Sequence, residues 1–280
     1  MPQSIAIIRT VSDLRDQVAT WKKQGYRVGL VPTMGALHTG HLSLVETLKS
    51  HADKIIVSIF VNPTQFAAHE DLDTYPRTEA EDCAKLSRIG ADLAYIPSVA
   101  EIYPAGFAST LHIGGPSHGL ESAARPHFFD GVAIVVHKLF QQTQADTAIF
   151  GEKDYQQLLV IKKMVRDLDV PISIVSGAII READGLAMSS RNAYLTDENR
   201  IIASRLNGIL TRLANSDLPA PQAEAEAEAA LREAGFTAVD YATIRDAETL
   251  ALPDMTTKAR RALIVARIGD IRLLDNMPAK

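Results

Sequence analysis

The chain reads as an α/β protein. A doubly wound parallel sheet is predicted over residues 1–180 and a smaller C-terminal α+β domain over 181–280. Three observations predict this. Short apolar runs alternate with amphipathic, helix-like stretches through the first part, the pattern of a parallel sheet with helices on both faces. Lys54 to Val61, KIIVSIFV, is too uniformly apolar for a half-exposed strand and fits a central strand covered on both sides. Beyond Arg181 the alternation stops, and a polar loop, helices and then strands follow.

Taken in order, residues 4–8 are a short apolar first strand. Val11 to Lys23 has helical periodicity and ends before Gly25. Tyr26 to Val31 is a strand stopped by Pro32, and a helix runs from about Gly40 to Ala52 with Leu42, Leu44, Val45 and Leu48 on its inner side. The strand Lys54–Val61 empties into the polar loop Asn62 to Phe66. Asp71 to Arg77 is a loop, Thr78 to Ile89 a helix halted by Gly90, and Asp92 to Ile96 a strand closed by Pro97. Residues 103–119 hold several Gly and Pro and read as irregular, with one short strand near Leu111. Gly131 to Gln141 is a helix, Thr147 to Phe150 a strand, Gly151 to Asp154 its loop, Tyr155 to Leu168 a helix and Ile172 to Ile180 a strand. In the second part Met188 to Asn192 is a polar loop, Asp197 to Ala214 a helix and Ser216 to Pro221 a linker turn. The Ala- and Glu-rich Pro221 to Gly235 is a helix with a solvated face. Val239 to Ile244 and Arg261 to Ile268 are strands, and no internal repeat is present.

Composition narrows the function. A net charge of −5 without a long basic block argues against a nucleic-acid partner. No apolar run reaches the roughly 18 residues of a membrane span, and the N-terminus lacks a signal-peptide core. The single cysteine, Cys83, excludes an intramolecular disulfide and reads as a buried thiol in a helix. Together these place the protein in the cytoplasm.

Chemistry gathers in loops that follow strands, where open α/β sheets bind ligands. Val31 to His41 (VPTMGALHTGH) runs from strand through a glycine-containing turn into a helix. Gly35 and Gly40 allow close backbone approach to a ligand, since they carry no Cβ. His38 and His41 are three residues apart and share a helix face. A helix start attracts anions, phosphate above all, and two imidazoles there suit a triphosphate that gains charge as it reacts. The amides of Asn62 and Gln65 suit a ligand with hydroxyls and a carboxylate, or serve a turn. Asp154-x-x-Gln157 has the form of a helix capping box, which leaves Lys153 to present a cation at the same sheet edge. Ser189, Ser190 and Arg191 form either a surface turn or a phosphate clamp. His51, His69, His112, His118, His127 and His137 match no metal-ligand spacing, and no protein-held metal site is expected.

The segments VPTMGALHTGH, VSIFVNPTQF, YPRT, KLF, FGEKDYQQL and MSSRNAYL, with the tail GDIRLLDN, jointly resemble the pantoate–β-alanine ligases (pantothenate synthetases) of the H-x-G-H nucleotidyltransferase-like superfamily. The resemblance implies a Rossmann-like fold, a homodimer formed through the larger domain, and a two-step reaction. Pantoate attacks the α-phosphorus of ATP to give pantoyl adenylate and diphosphate; the amine of β-alanine then displaces AMP. It implies ATP contacts from Met34, Gly35, Ala36, Leu37, His38, Thr39, Gly40 and His41, from Gly151, Glu152, Lys153 and Asp154, from Ile180, and from Met188, Ser189, Ser190 and Arg191. Gln65 and Gln157 correspond to the pantoate-holding glutamines, with Asn62 read beside them; Gln65 also lies near β-alanine, and His41 is the family's proton donor. Catalysis would be positioning and electrostatics by His38, His41, Lys153 and Arg191, with Mg²⁺ neutralising the triphosphate. The second domain would close over the adenylate and exclude water.

One departure stands out: the family's Arg-Pro-Gly-His-Phe-x-Gly-Val appears as Arg125-Pro126-His127-Phe128-Phe129-Asp130-Gly131-Val132. On an extended loop the one-residue shift turns His127 out to solvent and Phe128 inward. Two rival functions compete with the ligase. A nucleotidyltransferase acting on a phosphorylated substrate would need a second phosphate site where Gln65 and Gln157 supply amides. A non-catalytic nucleotide sensor would be expected to lack part of the His38, His41, Lys153 and Arg191 set, which is complete.

Overall fold

The computed structural model describes residues 4–66 and 72–280. His69 and the first residue of the expected 71–77 loop, Asp71, lie outside the described residues. Among the described residues, one sheet contains β1 (Ala6–Ile8), β2 (Val28–Thr33), β3 (Lys54–Ile59), β4 (Leu93–Tyr95), β5 (Thr147–Gly151) and β6 (Ser173–Gly177). All its pairings are parallel, in the order β1-β4-β3-β2-β5-β6. Its connecting helices are α1 (Val11–Lys23), α2 (Thr39–Leu48), α3 (Glu79–Ile89), α4 (Val99–Ile102), α5 (Glu121–Ala124), α6 (Phe128–Thr143) and α7 (Tyr155–Asp167).

The side-chain alternation of β3 shows why its sequence is so apolar. Ile56 faces a core layer with Leu14 and Val18 of α1, Leu139 of α6 and Ile161 of α7. Ile55 and Val57 face the opposite layer, with Val45 and Leu48 of α2 and Leu86 of α3. A strand buried on both faces has no place for a polar alternation. From β2 the chain proceeds to β3 and β4 on one side, and to β5 and β6 on the other. The carboxyl ends of β2 and β5 therefore flank the point where the strand order reverses, and a crevice opens there.

The second sheet is antiparallel: β7 (Ala238–Asp246), β8 (Arg260–Ile268) and β9 (Ile271–Ala279). Helices α8 (Asp197–Ala203), α9 (Arg205–Ala214) and α10 (Ala220–Ala234) share a core with it through Ala203, Leu206, Leu210, Leu231 and Ile264. No helix among the described residues is long and apolar enough to cross a membrane.

Several sequence expectations are corrected. Pro32 does not stop β2 but lies within it, paired with Ser58 of β3. The β5 pairing covers only Gly29 and Leu30, so at Pro32 one side of the strand has no ladder for a missing N–H to break. No strand forms near Leu111; Leu111 and Ile113 pack on the core from an irregular segment. The helix expected from Gly131 starts at Phe128 and runs to Thr143. The Asp197–Ala214 helix is two helices meeting at Ser204, whose hydroxyl bonds the Ile201 carbonyl at 2.8 Å and competes with the helical ladder. Cys83 is half-buried rather than buried. The strand β9 was not foreseen, because Arg272, Asp275, Asn276 and Pro278 give it little strand character.

Candidate active site

The turn after β2 is held by groups remote in sequence. Gly35 and Ala36 both have left-handed backbones, with φ of 86° and 49°. For Ala36 that conformation is strained, and it is over-determined by α3. The buried carboxylate of Asp82 accepts from the N–H groups of Ala36 and Leu37, both at 2.8 Å, and Lys85 Nζ donates to the Leu37 carbonyl at 2.8 Å. This grip delivers the chain to the start of α2.

There the two histidines cap one another. Gly40 N–H donates to His38 Nδ1 at 3.1 Å, and His38 N–H donates to His41 Nδ1 at 3.4 Å. The rings lie 4.0 Å apart, centroid to centroid. With Nδ1 accepting in both, the neutral rings carry their protons on Nε2. Burial lowers His38 to about 4, helped by the charge of Lys153. Burial lowers His41 to about 3, helped by His38 and Lys153. Both are neutral donors near pH 7, and part of the N–H potential expected at this helix start is taken up by the imidazoles themselves.

The second wall begins where β5 ends. Glu152 to Asp154 form a single 3₁₀ turn, and Lys153 has 19% of its side chain exposed, with Asp154 Oδ2 3.7 Å from its Nζ. Asp154 makes no side-chain cap on α7, so the capping box is not formed and Gln157 lines the cleft. The neighbouring Gln156 is the structural glutamine. It is buried, accepts from Glu121 N–H at 3.0 Å and donates to the carbonyls of Pro116 and Gly119.

The third wall is the short 3₁₀ turn Pro63–Gln65. Asn62 lines the same cleft, with its side chain already engaged. Its amide is 1% exposed and fully used: Nδ2 donates to Gln65 Oε1 (3.2 Å) and the Gly131 carbonyl (3.1 Å), and Oδ1 accepts from Tyr103 OH (2.8 Å) and Thr64 Oγ1 (3.0 Å). Asn62 thus orients Gln65, whose Nε2 lies 2.8 Å from Met34 Sδ. The turn sits directly on α6, where a Cβ at Gly131 would lie 2.4 Å from the Thr64 carbonyl oxygen. The backbone at His127 and Phe128 turns into a helix rather than running extended: Phe128 N–H bonds the Arg125 carbonyl at 3.0 Å and Phe128 opens α6. His127 is exposed, and the Phe128 ring lies 3.8 Å under the Arg125 guanidinium on the cleft wall.

The fourth wall follows β6. Met188 N–H bonds the Ile180 carbonyl at 2.9 Å, closing a small loop. Ser190 Oγ donates to the Ala36 carbonyl at 3.1 Å, which ties this segment to the histidine turn. The Arg191 guanidinium lies 5.9 Å from the Tyr75 ring centre.

These walls enclose one cleft of about 970 Å³ whose far side is β8 and β9. Met34, His38, Gly40 and His41 line it, as do Gly151, Lys153 and Asp154, then Ile180 and Met188 to Arg191, and finally Gln65 and Gln157. Gly35, Ala36, Leu37, Thr39 and Glu152 do not. The first two shape the turn, Leu37 and Thr39 border an adjoining cavity of about 380 Å³ with Lys85 and Glu182, and Glu152 pairs with Arg261 on the second sheet at 3.0 Å. Asp82, Glu121, Arg261, Arg272 and Asn276 were not singled out from sequence. For Arg272 and Asn276 the tail GDIRLLDN was the available signal.

A model of the family described as Pantoate-beta-alanine ligase matches residues 6–278. The pantothenate synthetase of Mesorhizobium japonicum is 52% identical, over 97% of this chain and 96% of its own length. That of Caulobacter vibrioides is 50% identical, over 97% of each chain. Among solved structures, pantothenate synthetase from Thermus thermophilus superposes with a TM-score of 0.91 at 40% identity, covering 98% of this chain and 99% of the other. The pantoate-β-alanine ligase of Francisella tularensis, complexed with β-γ ATP and β-alanine, superposes with a TM-score of 0.84 at 33% identity, covering 98% of each chain.

Proposed function

The chain belongs to the pantoate–β-alanine ligase family and forms pantothenate at the expense of ATP, and we propose that it does so in two steps within the cleft between its two sheets. The observation that carries this reading is the convergence of Lys153, two neutral imidazoles and the Ser189–Arg191 segment on one cavity that also holds two glutamine amides.

In the first step the pantoate carboxylate oxygen bonds to the α-phosphorus of ATP and the bond to diphosphate breaks. Charge grows on the phosphate oxygens, so catalysis comes from donors already aimed at them. Lys153 and Arg191 supply positive charge, while His38 and His41 supply Nε2–H groups. The low basicity of His41 supports a neutral hydrogen-bond donor rather than an imidazolium. In the second step the free amine of β-alanine attacks the acyl carbon, the amide bond forms, AMP leaves and the amine loses a proton. Gln65 and Gln157 hold the pantoate hydroxyls, and Gln65 is near β-alanine. Asn62 orients Gln65 from the same cleft wall.

ATP enters as its Mg²⁺ complex in this reading. Magnesium bound to a triphosphate keeps several waters and needs only one or two protein oxygens. Asp154, exposed on the Lys153 turn and lining the cleft, is the carboxylate that suits it. Residues 1–180 then form the ATP- and pantoate-binding domain and 181–280 a lid. The family resemblance further supports a cytoplasmic homodimer acting on small molecules.

Gln157→Ala tests the substrate assignment. Losing a buried hydrogen bond to a substrate hydroxyl is expected to raise KM for pantoate about tenfold or more. The melting temperature should stay within a few degrees, since no helix cap is lost. An unchanged pantoate KM with a much lower melting temperature would return Gln157 to a structural role.

A further inference from the structure

Three polar side chains of β9 each hold a different segment of the cleft lining. Arg272 Nη2 donates to Glu121 Oε1 at 2.8 Å, ahead of α6. Asp275 accepts from Arg181 Nη2 at 2.9 Å, at the root of the Ile180–Arg191 segment. Asn276 Nδ2 donates to the carbonyls of Glu152 at 3.0 Å and Lys153 at 2.8 Å. Asp275 and Asn276 are each 2% exposed, where a sheet facing a core would ordinarily carry apolar side chains.

The Asn276 contact is the most specific of the three. One amide NH₂ reaches two successive carbonyl oxygens, a task that needs two N–H donors on one atom. Its own Oδ1 accepts from Arg261 Nε at 2.7 Å, which fixes the amide orientation. Arg261 also pairs with Glu152 Oε2 at 3.0 Å and lies 3.9 Å over the Tyr155 ring. The 3₁₀ turn bearing Lys153 is therefore gripped on both flanks by the second sheet.

We propose that Asn276, oriented by Arg261, is a positioning residue for adenylate formation: it fixes the Glu152 and Lys153 carbonyls and so aims Lys153 Nζ into the cleft. This rests on the role given to Lys153 above. A one-ångström drift of a catalytic cation lowers the rate without changing how pantoate binds.

The test is a double-substitution cycle in the full-length protein, read by pantoate-dependent exchange of diphosphate into ATP. Asn276→Leu keeps the approximate size of the side chain and removes the amide. It is expected to lower kcat by about tenfold or more with KM for pantoate within about twofold. In a Lys153→Ala background the same change should lower kcat less than about twofold, because its route of action is already gone. If Asn276→Leu melts too early to assay, Arg261→Gln frees the amide while leaving it in place and carries the same expectation. Equal losses in both backgrounds, or normal kcat in the Asn276 and Arg261 variants beside a crippled Lys153→Ala, would overturn the positioning role alone. Normal exchange in Lys153→Ala would overturn the reading of the site on which it rests.

Discussion

Lys153→Ala is expected to lower kcat for pantoyl adenylate formation by about a hundredfold or more. The side chain sits at the carboxyl end of β5, at the strand-order reversal, and its charge reaches both His38 and His41. Its nearest acid, Asp154 at 3.7 Å, is exposed and does not neutralise it within a closed ion pair. Positive charge fixed beside phosphate oxygens stabilises the transition state more than the ground state, so the loss should fall on kcat. The fold should survive, because Asn276 grips the backbone of this turn and not the lysine side chain. Exchange of diphosphate into ATP, with a melting curve alongside, measures both. Near-normal exchange would reject the assignment.

His41→Ala is expected to cost a similar factor, about a hundredfold, by removing an Nε2–H donor where charge develops. It also leaves His38 N–H without its acceptor, which should cost about 1 kcal/mol of stability, as for a lost helix cap. The pH dependence follows from the neutral rings. His38 and His41 sit near 4 and 3 in the free protein, so neither changes charge between pH 6 and 8. The kcat/KM profile should show no histidine inflection there. In the unfolded chain histidine titrates near 6.5, so below that pH the unfolded state binds protons that the native state refuses. Stability from these rings is thus complete above about pH 6.5 and is lost as pH falls toward 4. A kcat/KM inflection near pH 6.5 that disappears in His41→Ala would show that His41 works as an imidazolium instead.

The sheet was legible because its residues have local reasons to be where they are. The uniform apolarity of Lys54–Ile59 announced burial on both faces, and Gly90, with φ of 78°, ends α3 as its position suggested. His38, His41, Lys153 and Arg191 were expected to converge on one site, and all four line the cleft. What sequence spacing did not disclose depends on partners distant along the chain. Asn62 read as either a ligand amide or a turn former, and its bonds to Gly131 and Tyr103 could not be seen in the sequence. Asp154 and Gln157 spelled a capping box that the 3₁₀ turn prevents from forming. The strand β9 was missed because its polar residues are chosen by Glu121, Arg181 and the Lys153 turn, not by strand propensity. Phe128 shows the same limit: the residue shift left the loop's conformation open, and the helix start at α6 decides it, with His127 exposed as expected.

Exchange of labelled diphosphate into ATP, with pantoate present and β-alanine absent, tests the central claim most directly. Formation of an enclosed pantoyl adenylate ahead of any amine predicts exchange that depends on pantoate and needs no β-alanine. Exchange that begins only after β-alanine is added would contradict the two-step reading. Exchange supported by a phosphorylated substrate but not by pantoate would contradict the assignment of the amide-lined end of the cleft.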